Sequence, residues 1–320
     1  MQRKMLHSAL KKLYVFILVF VLSSGQLMST KLSKCPGSYC GRVAQTGSSN
    51  LSACGACPRG FRTDGYTCIK CNSSLLLYDW LYLGFMVFII PIINCHFISC
   101  FEPKRRFIGF LRVTTIIESL VSIFISLLVI EPYGQLTLKS CNKESIKDWY
   151  TVFFNPKPDY VHVIRCTQEA VYPLFTIVLV YYACCLLMSV ILRPLFTYFL
   201  KGSLGRSSLY ASMYLLPIIT VVHAAFSGLI YYAFPYLILV ASSIGSAIYL
   251  SLKSDQLWSL WKNVDSVLVL VTYCLTNAYG IISVTLLHQP VRDGKLLLLI
   301  ALPILFYFVT FRLTDPSKFS

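Results

Sequence analysis

Six cysteines in the N-terminal part of the chain could form disulfides, bind zinc or carry redox chemistry. They are Cys35, Cys40, Cys54, Cys57, Cys68 and Cys71. The last four have the paired spacing of a zinc ribbon, and a C-x2-C pair also occurs in thioredoxin-like redox motifs, although no βαβ pattern surrounds this one. Such cysteine density without partner histidines is instead typical of disulfide-bonded modules. We predict three internal disulfides and no metal, because a module of roughly 40 residues buries little core.

Two further cysteines, Cys141 and Cys166, lie in a long connection at 131–168. We predict that they pair with each other, which would close a loop of about 25 residues and contribute around 3 kcal/mol. The sequons at Asn50 and Asn72 predict N-glycosylation of a translocated segment. Together these features indicate an oxidising lumenal compartment for the N-terminal module.

Glu118 is the one compelling polar residue inside an apolar segment. A carboxylate within a membrane is costly and is a candidate functional site, although a neutral Glu bonded to a neighbouring helix would be structural. We favour the structural role. Arg112 lies six residues earlier, about 600° of helical turn away, so the two side chains do not share a face. His223 and Asn277 are interpreted as polar packing contacts between helices.

No catalytic constellation is visible in the sequence. There is no G-x-S-x-G, H-E-x-x-H or P-loop motif. Three acids near the membrane segments are far apart in sequence, and no base is adjacent to pair with them: Asp79, Asp148 and Asp159. We therefore expect a protein that is not an enzyme and that binds no cofactor.

The composition predicts the elements that must hold these residues. The chain of 320 residues is 56% hydrophobic and only 13% charged, which is typical of a multi-pass membrane protein. Its net charge of +15 does not indicate nucleic acid, because the basic residues are scattered between apolar segments. The excess is instead typical of the Lys/Arg bias of cytoplasmic loops.

Hydropathy predicts an all-α fold with seven transmembrane helices and a small disulfide-rich lumenal module at the N-terminus. Each apolar segment is long enough for roughly 20 helical residues across a ~30 Å core. The predicted spans are Leu81–Ile98, Phe107–Ile130, Val171–Leu192, Leu209–Leu229, Phe234–Leu252, Asp265–Leu287 and Leu296–Phe311. Pro91, Pro217 and Pro303 lie inside spans and are expected to kink them.

The chain divides into four parts by this interpretation. Residues 1–25 read as a signal peptide, or as an uncleaved anchor; 31–77 form the cysteine module; 78–311 form the transmembrane domain; and 312–320 form a tail. Loop charges and sequons agree on a lumenal N-terminus and a cytosolic C-terminus. The candidate cytosolic contact residues are Lys104, Arg105, Arg106, Arg193, Lys201 and Arg206.

Several strings carry a family resemblance. YDWLYLGFM at 78–86, DWYT at 148–151, CTQEAVYPL at 166–174, YYAFPY at 231–236 and AYGIIS at 278–283 are examples. With these strings the chain resembles the Jun N-terminal kinase-associated membrane protein family, which are seven-span proteins of the endoplasmic reticulum. The resemblance implies a role in degradation of misfolded proteins and the unfolded protein response, with the proteasome, a membrane RING ubiquitin ligase and Jun N-terminal kinase as partners.

The expected function is therefore a non-enzymatic adaptor in the endoplasmic reticulum membrane. Two alternatives are a seven-span receptor, which the lumenal N-terminus would suit, and a transporter that uses Glu118. The resemblance transfers no binding residue, because its strings are mostly lumenal or intramembrane, whereas the proteasome and the kinase are cytosolic.

Overall fold

The computed structural model of the chain describes residues 33–44, 51–101, 105–154, 166–199, 206–253, 262–287 and 289–314. Among these residues, six helices are long and apolar enough to cross a membrane. The predicted leader, the sequon Asn50 and the tail beyond 314 lie outside the described residues.

The spanning helices follow the hydropathy pattern with one exception. Five of them are α1 (Leu77–Phe101), α2 (Arg105–Val129), α3 (Leu174–Phe199), α4 (Arg206–Ser251) and α5 (Val264–Thr285). The sixth candidate span, Arg292–Thr310, combines α6 (Pro290–Leu296), a 3-10 turn at Leu297–Ala301 and α7 (Leu302–Thr314). Pro303 stands at the start of α7, where its missing N–H costs no helical hydrogen bond.

The two predicted spans at Leu209–Leu229 and Phe234–Leu252 are joined in the single helix α4, which ends at Ser251, so seven separate spanning helices are not found among the described residues. The predicted break at 230–233 contains no charged residue, glycine or proline. Nothing in these four residues interrupts helical hydrogen bonding, so the helix continues through the predicted break. At 46 residues α4 is about 69 Å long, more than twice the ~30 Å hydrocarbon core.

Prolines inside the helices leave backbone carbonyls without their usual partner, and tyrosines replace it. Pro91 cannot donate to the carbonyl of Val87, and the Tyr181 hydroxyl of α3 donates to that oxygen at 3.1 Å. Pro235 likewise frees the carbonyl of Tyr231, which accepts the Tyr78 hydroxyl at 2.7 Å. These contacts satisfy groups that would otherwise be unpaired in an apolar medium.

A small head is built from two-stranded antiparallel sheets, most of whose strands precede α1. Within the cysteine module, β1 (Cys40–Gly41) pairs with β2 (Gly55–Ala56), and β3 (Phe61–Thr63) pairs with β4 (Cys68–Lys70). The third pair joins the module to the α2–α3 connection, because β5 (Ser73–Ser74) pairs with β6 (Lys139–Ser140). The head is therefore built from both segments.

All eight predicted disulfide cysteines are bonded, but the predicted pairing is wrong. Two bridges are internal to the module, Cys35–Cys54 and Cys57–Cys68. The other two join the module to the connection, Cys40–Cys166 and Cys71–Cys141. The prediction pairs the six cysteines of the module among themselves and the two of the connection with each other, as if the two segments were separate units. The pairing of β5 with β6 instead brings them together, so Cys71 and Cys141 become neighbours.

An aromatic core joins the head to the helices. Tyr82 of α1 is fully buried and packs on Phe234 of α4, with ring centroids 5.8 Å apart. Trp149, in the 3-10 turn Ile146–Trp149, packs on Tyr231 at 4.9 Å. The head thus rests on the start of α1 and on the middle of α4, around Tyr231 and Phe234.

Candidate functional site in the helix bundle

Glu118 of α2 faces Arg193 of α3 in the interior of the bundle. The Arg193 guanidinium donates from Nε to Oε1 at 3.0 Å and from Nη2 to Oε2 at 2.9 Å. The two side chains are only 2% and 4% exposed. This forked geometry is the favoured arrangement of an arginine–carboxylate ion pair.

Two more helices contribute to the same site. Arg193 Nη1 donates to Ser212 Oγ of α4 at 2.9 Å, and that hydroxyl donates to Asn94 Oδ1 of α1 at 2.6 Å. All four residues are buried. We call Asn94, Glu118, Arg193 and Ser212 the polar cluster, and it links α1 to α4 at one level of the bundle.

Helical periodicity explains how α2 presents its side of the site. Polar and small residues recur every three or four positions along the buried face of α2: Thr114, Thr115, Glu118, Ser119, Ser122 and Ser126. The hydroxyl of Ser122 donates to the carbonyl of Glu118 at 2.7 Å, and that of Ser126 to the carbonyl of Ser122. These small residues let α3 approach closely, as is usual between membrane helices.

The position of Arg193 corrects two sequence-based predictions. Arg193 is 3% exposed and is not a cytosolic contact residue. Glu118 bonds a neighbouring helix, as the predicted structural role requires, but the expected contact of a neutral Glu is replaced by an ion pair with a guanidinium, which stays positively charged in proteins. The long side chain turns inward because a buried carboxylate without a counter-charge would cost more than ordering the arginine. The partner of Glu118 was missed because it lies 75 positions away on another helix.

The remaining predicted site residues lie elsewhere. Lys104 and Lys201 lie outside the described residues, and α2 and α4 begin at Arg105 and Arg206, whose side chains, like that of Arg106, are not described. Asn72 is exposed in the head, directly before β5. Of the predicted site residues in the helices, the structure therefore brings together Glu118 and Arg193.

A second polar set holds the head on the bundle. The Asp79 carboxylate, fully buried at the start of α1, accepts Lys143 Nζ at 2.5 Å and the Tyr231 hydroxyl at 2.7 Å. Asp148 accepts the Tyr39 hydroxyl at 2.9 Å and lies 3.3 Å from Arg62 Nη1. Both acids therefore have basic partners, contrary to the prediction. Asp159 is outside the described residues.

The electrostatics outside the spans follow from this burial. Burial and the hydrogen bond to Asp148 both raise the pKa of the Tyr39 hydroxyl. Burial also raises the pKa of Glu169, although the backbone N–H groups of Phe175 and Thr176 donate to its carboxylate at 3.0 Å. Glu169 thus covers the first N–H groups of α3, which have no intrahelical partner.

The predicted packing role of His223 and Asn277 is confirmed. The His223 ring stacks on Phe175 at 5.3 Å and its Nε2 lies 3.2 Å from the Phe175 carbonyl. Asn277 donates to the carbonyl of Ile300 at 3.3 Å. Across the described part of the chain, no three His, Cys, Asp or Glu residues are arranged to hold a metal ion.

Comparison with known proteins agrees with the resemblance seen in the sequence. The family model described as JNK1/MAPK8-associated membrane protein matches residues 35–316. The chain belongs to this family. It is 42% identical over 294 residues to the JNK1/MAPK8-associated membrane proteins of Mus musculus and Homo sapiens, covering 89% of this chain and 94% of each relative. No solved structure matches.

A more distant relative is the JNK1/MAPK8-associated membrane protein homolog of Caenorhabditis elegans, at 28% identity over 283 residues, covering 85% of this chain and 86% of the relative. The strings that carried the resemblance meet in the structure. Asp79 and Tyr82, Trp149, Tyr172 and Tyr231 come from four of them, and all lie where the head meets the helices. These strings therefore include residues that form the junction of the head with the bundle.

Proposed function

We propose that this protein is a non-enzymatic adaptor of the endoplasmic reticulum membrane that acts in degradation of misfolded proteins. It would bind Jun N-terminal kinase and recruit the proteasome and a membrane RING ubiquitin ligase. The observation that carries the proposal is the family match over 35–316, together with relatives named for association with JNK1/MAPK8. The apolar helices and the disulfide-bonded head suit a resident membrane protein of an oxidising compartment.

The proposal includes seven crossings, with α4 passing through the membrane twice. Both halves of α4 expose apolar side chains, such as Val221 and Phe226 in the first half and Ile244 and Ile248 in the second. A ~30 Å core holds only about 20 helical residues, so a straight α4 would carry half of this surface into water.

The contacts of α4 with α1 support a return near Pro235. Ser212 contacts Asn94 and Tyr231 contacts Asp79, as expected for antiparallel helices. Three residues later, Phe234 packs on Tyr78, Tyr82 and Phe85, with ring centroids 5.1, 5.8 and 5.6 Å apart. The first half of α4 therefore reaches the head end of α1 beside Pro235, which is where a second crossing would have to begin.

The proposed orientation places the head in the lumen and the C-terminus in the cytosol. Seven crossings put the two ends on opposite sides of the membrane, whereas six would put them on the same side. In sealed microsomes, a C-terminal tag should be cut by added protease while a glycan on Asn50 or Asn72 remains protected. Protection of both would exclude the seven-crossing topology.

The binding experiment concerns the cytosolic ends of the helices. We expect replacement of Lys104, Arg105 and Arg106 by Gln, or of Lys201 by Gln, to reduce co-precipitation of kinase and proteasome subunits from solubilised reticulum membranes. The matched control replaces two lysines of the head, Lys70 and Lys139. Arg193 is left unchanged and the head is retained, because the ion pair and the disulfides belong to the fold.

Unchanged recovery in both loop variants, with arrival of the protein at the cell surface bearing complex glycans, would refute the adaptor and favour the receptor. The transporter alternative gains no support from the geometry. The carboxylate that it requires, Glu118, is engaged by Arg193 and is buried within the bundle.

A further inference from the structure

A groove runs between α1 and α2 on the outside of the bundle. It has a volume of about 510 Å³ and its walls are mainly apolar. We call it the α1–α2 groove, and its lining residues are Val87, Phe88, Pro91, Ile92 and Cys95 from α1 and Ile116, Ser119, Leu120 and Ile123 from α2. Ile92 and Leu120 are 66% and 59% exposed, so the groove is open to the surrounding membrane.

The groove continues toward the head. A second hollow of about 230 Å³ shares Val87, Phe88 and Ile123 with the first and extends to Trp80. From Cys95 to Trp80 the path along α1 is roughly 22 Å, at the rise of an α-helix. This is longer than one leaflet of hydrocarbon, which is about 15 Å or half of the bilayer core.

The end of the groove far from the head carries a cation. Arg112 is exposed, and its Nη2 donates to Ser99 Oγ on α1 at 2.8 Å. Arg112 is one turn from Ile116 on α2, and Ser99 is one turn from Cys95 on α1, so this contact joins the two walls at the mouth. Ser99 is neutral, and the carboxylate nearest along α2, Glu118, is held by Arg193.

We propose that the α1–α2 groove binds an anionic phospholipid from the leaflet opposite the head. Its phosphate would accept hydrogen bonds from the guanidinium of Arg112, and one acyl chain would lie along the apolar walls. Guanidinium groups pair with phosphate through parallel N–H bonds, and a cation at the mouth of an apolar groove matches the charge distribution of such a lipid. In the proposed topology this leaflet is cytoplasmic, where anionic lipids are concentrated.

The test measures stabilisation of the full-length purified protein by added lipid. Phosphatidylinositol and phosphatidylcholine with identical acyl chains are titrated into the protein in mild detergent, and the melting temperature is recorded. We expect phosphatidylinositol to raise the melting temperature at concentrations where phosphatidylcholine does not. For Arg112→Gln the half-maximal concentration of phosphatidylinositol should rise about tenfold, as expected for loss of a charged hydrogen bond.

Groove-filling variants separate this site from lipid spread over the whole surface. Ile116→Trp and Leu120→Trp place a large side chain in the groove and should remove the phosphatidylinositol effect. Ile117→Trp is the matched control, since Ile117 is 42% exposed on the same helix but points about 100° away. Arg292→Gln, an exposed arginine elsewhere, controls for charge.

Equal stabilisation by both lipids would overturn the proposal. An unchanged phosphatidylinositol response in Arg112→Gln, or in both groove-filling variants, would also overturn it. The same holds if Ile117→Trp loses the phosphatidylinositol effect to the same extent as the groove-filling variants. A cross-linkable residue placed at Ile92 provides a second readout that does not depend on melting temperature. It should capture lipid, and capture of a protein helix at that position instead would identify a different occupant.

Discussion

Replacing Arg193 with methionine would leave the Glu118 carboxylate buried in the bundle without its counter-charge. In the structure that carboxylate accepts two guanidinium N–H bonds of 3.0 and 2.9 Å, and both side chains are almost completely buried. Removing one partner of such a pair costs about 3–5 kcal/mol, because the remaining charge stays in an apolar medium. The single variant should therefore be strongly destabilised.

That free energy converts to a large thermal shift. For a domain of this size, 1 kcal/mol corresponds to roughly 2–4 °C, so a drop of about 10 °C is expected for Arg193→Met. Glu118→Leu should behave similarly. Glu118→Gln should lose less, since an amide oxygen still accepts from Arg193.

The assay is thermal unfolding of the detergent-solubilised protein, followed by loss of the monodisperse peak of a fluorescent fusion. The double variant Glu118→Leu with Arg193→Met should recover most of the loss, because an apolar pair leaves no buried charge. Ser212 and Asn94 still bond each other in that variant. Arg292→Met, at an exposed position outside the polar cluster, is the matched control and should change little.

Additivity would refute this reasoning. If each single variant lowered the melting temperature by less than about 2 °C, or if the double variant lost the sum of the two, then the buried ion pair would not couple α2 to α3. Rescue in the double variant, by contrast, requires that the two charges compensate each other in the folded protein.

Three further predictions concern the head and its junction. Replacing Cys40 and Cys166 with Ser should cost about 2–5 kcal/mol and make the lumenal segment protease-sensitive in opened microsomes, since this bridge spans 126 positions. Burial raises the folded-state pKa of Glu169 above 4.5, so the contribution of Glu169 to stability falls as pH rises from about 4.5 through that pKa. Over this interval the melting temperature of the parent should fall relative to that of Glu169→Gln, in which position 169 does not titrate. Gly228→Ala should cost about 1–3 kcal/mol by urea titration of tryptophan fluorescence, because the new Cβ would stand 2.8 Å from Trp149 Cβ.

Local patterns in the sequence determined the class of this protein and much of its helical content. Runs of apolar residues predict membrane helices because the backbone in lipid must satisfy its own hydrogen bonds, and this requirement is local. The density of cysteines likewise predicted that all eight would be bonded. The strings around Asp79 and Trp149 were sufficient to indicate the family.

Tertiary structure alone decided which distant residues meet. Disulfide connectivity depended on β5 pairing with β6, and Arg193 changed from a predicted surface contact to the buried partner of Glu118. The continuity of α4 also escaped hydropathy, since one long helix and two helices joined by a short loop have the same apolar profile. Each of these outcomes depends on distances between segments, whereas periodicity and composition report only on neighbours along the chain.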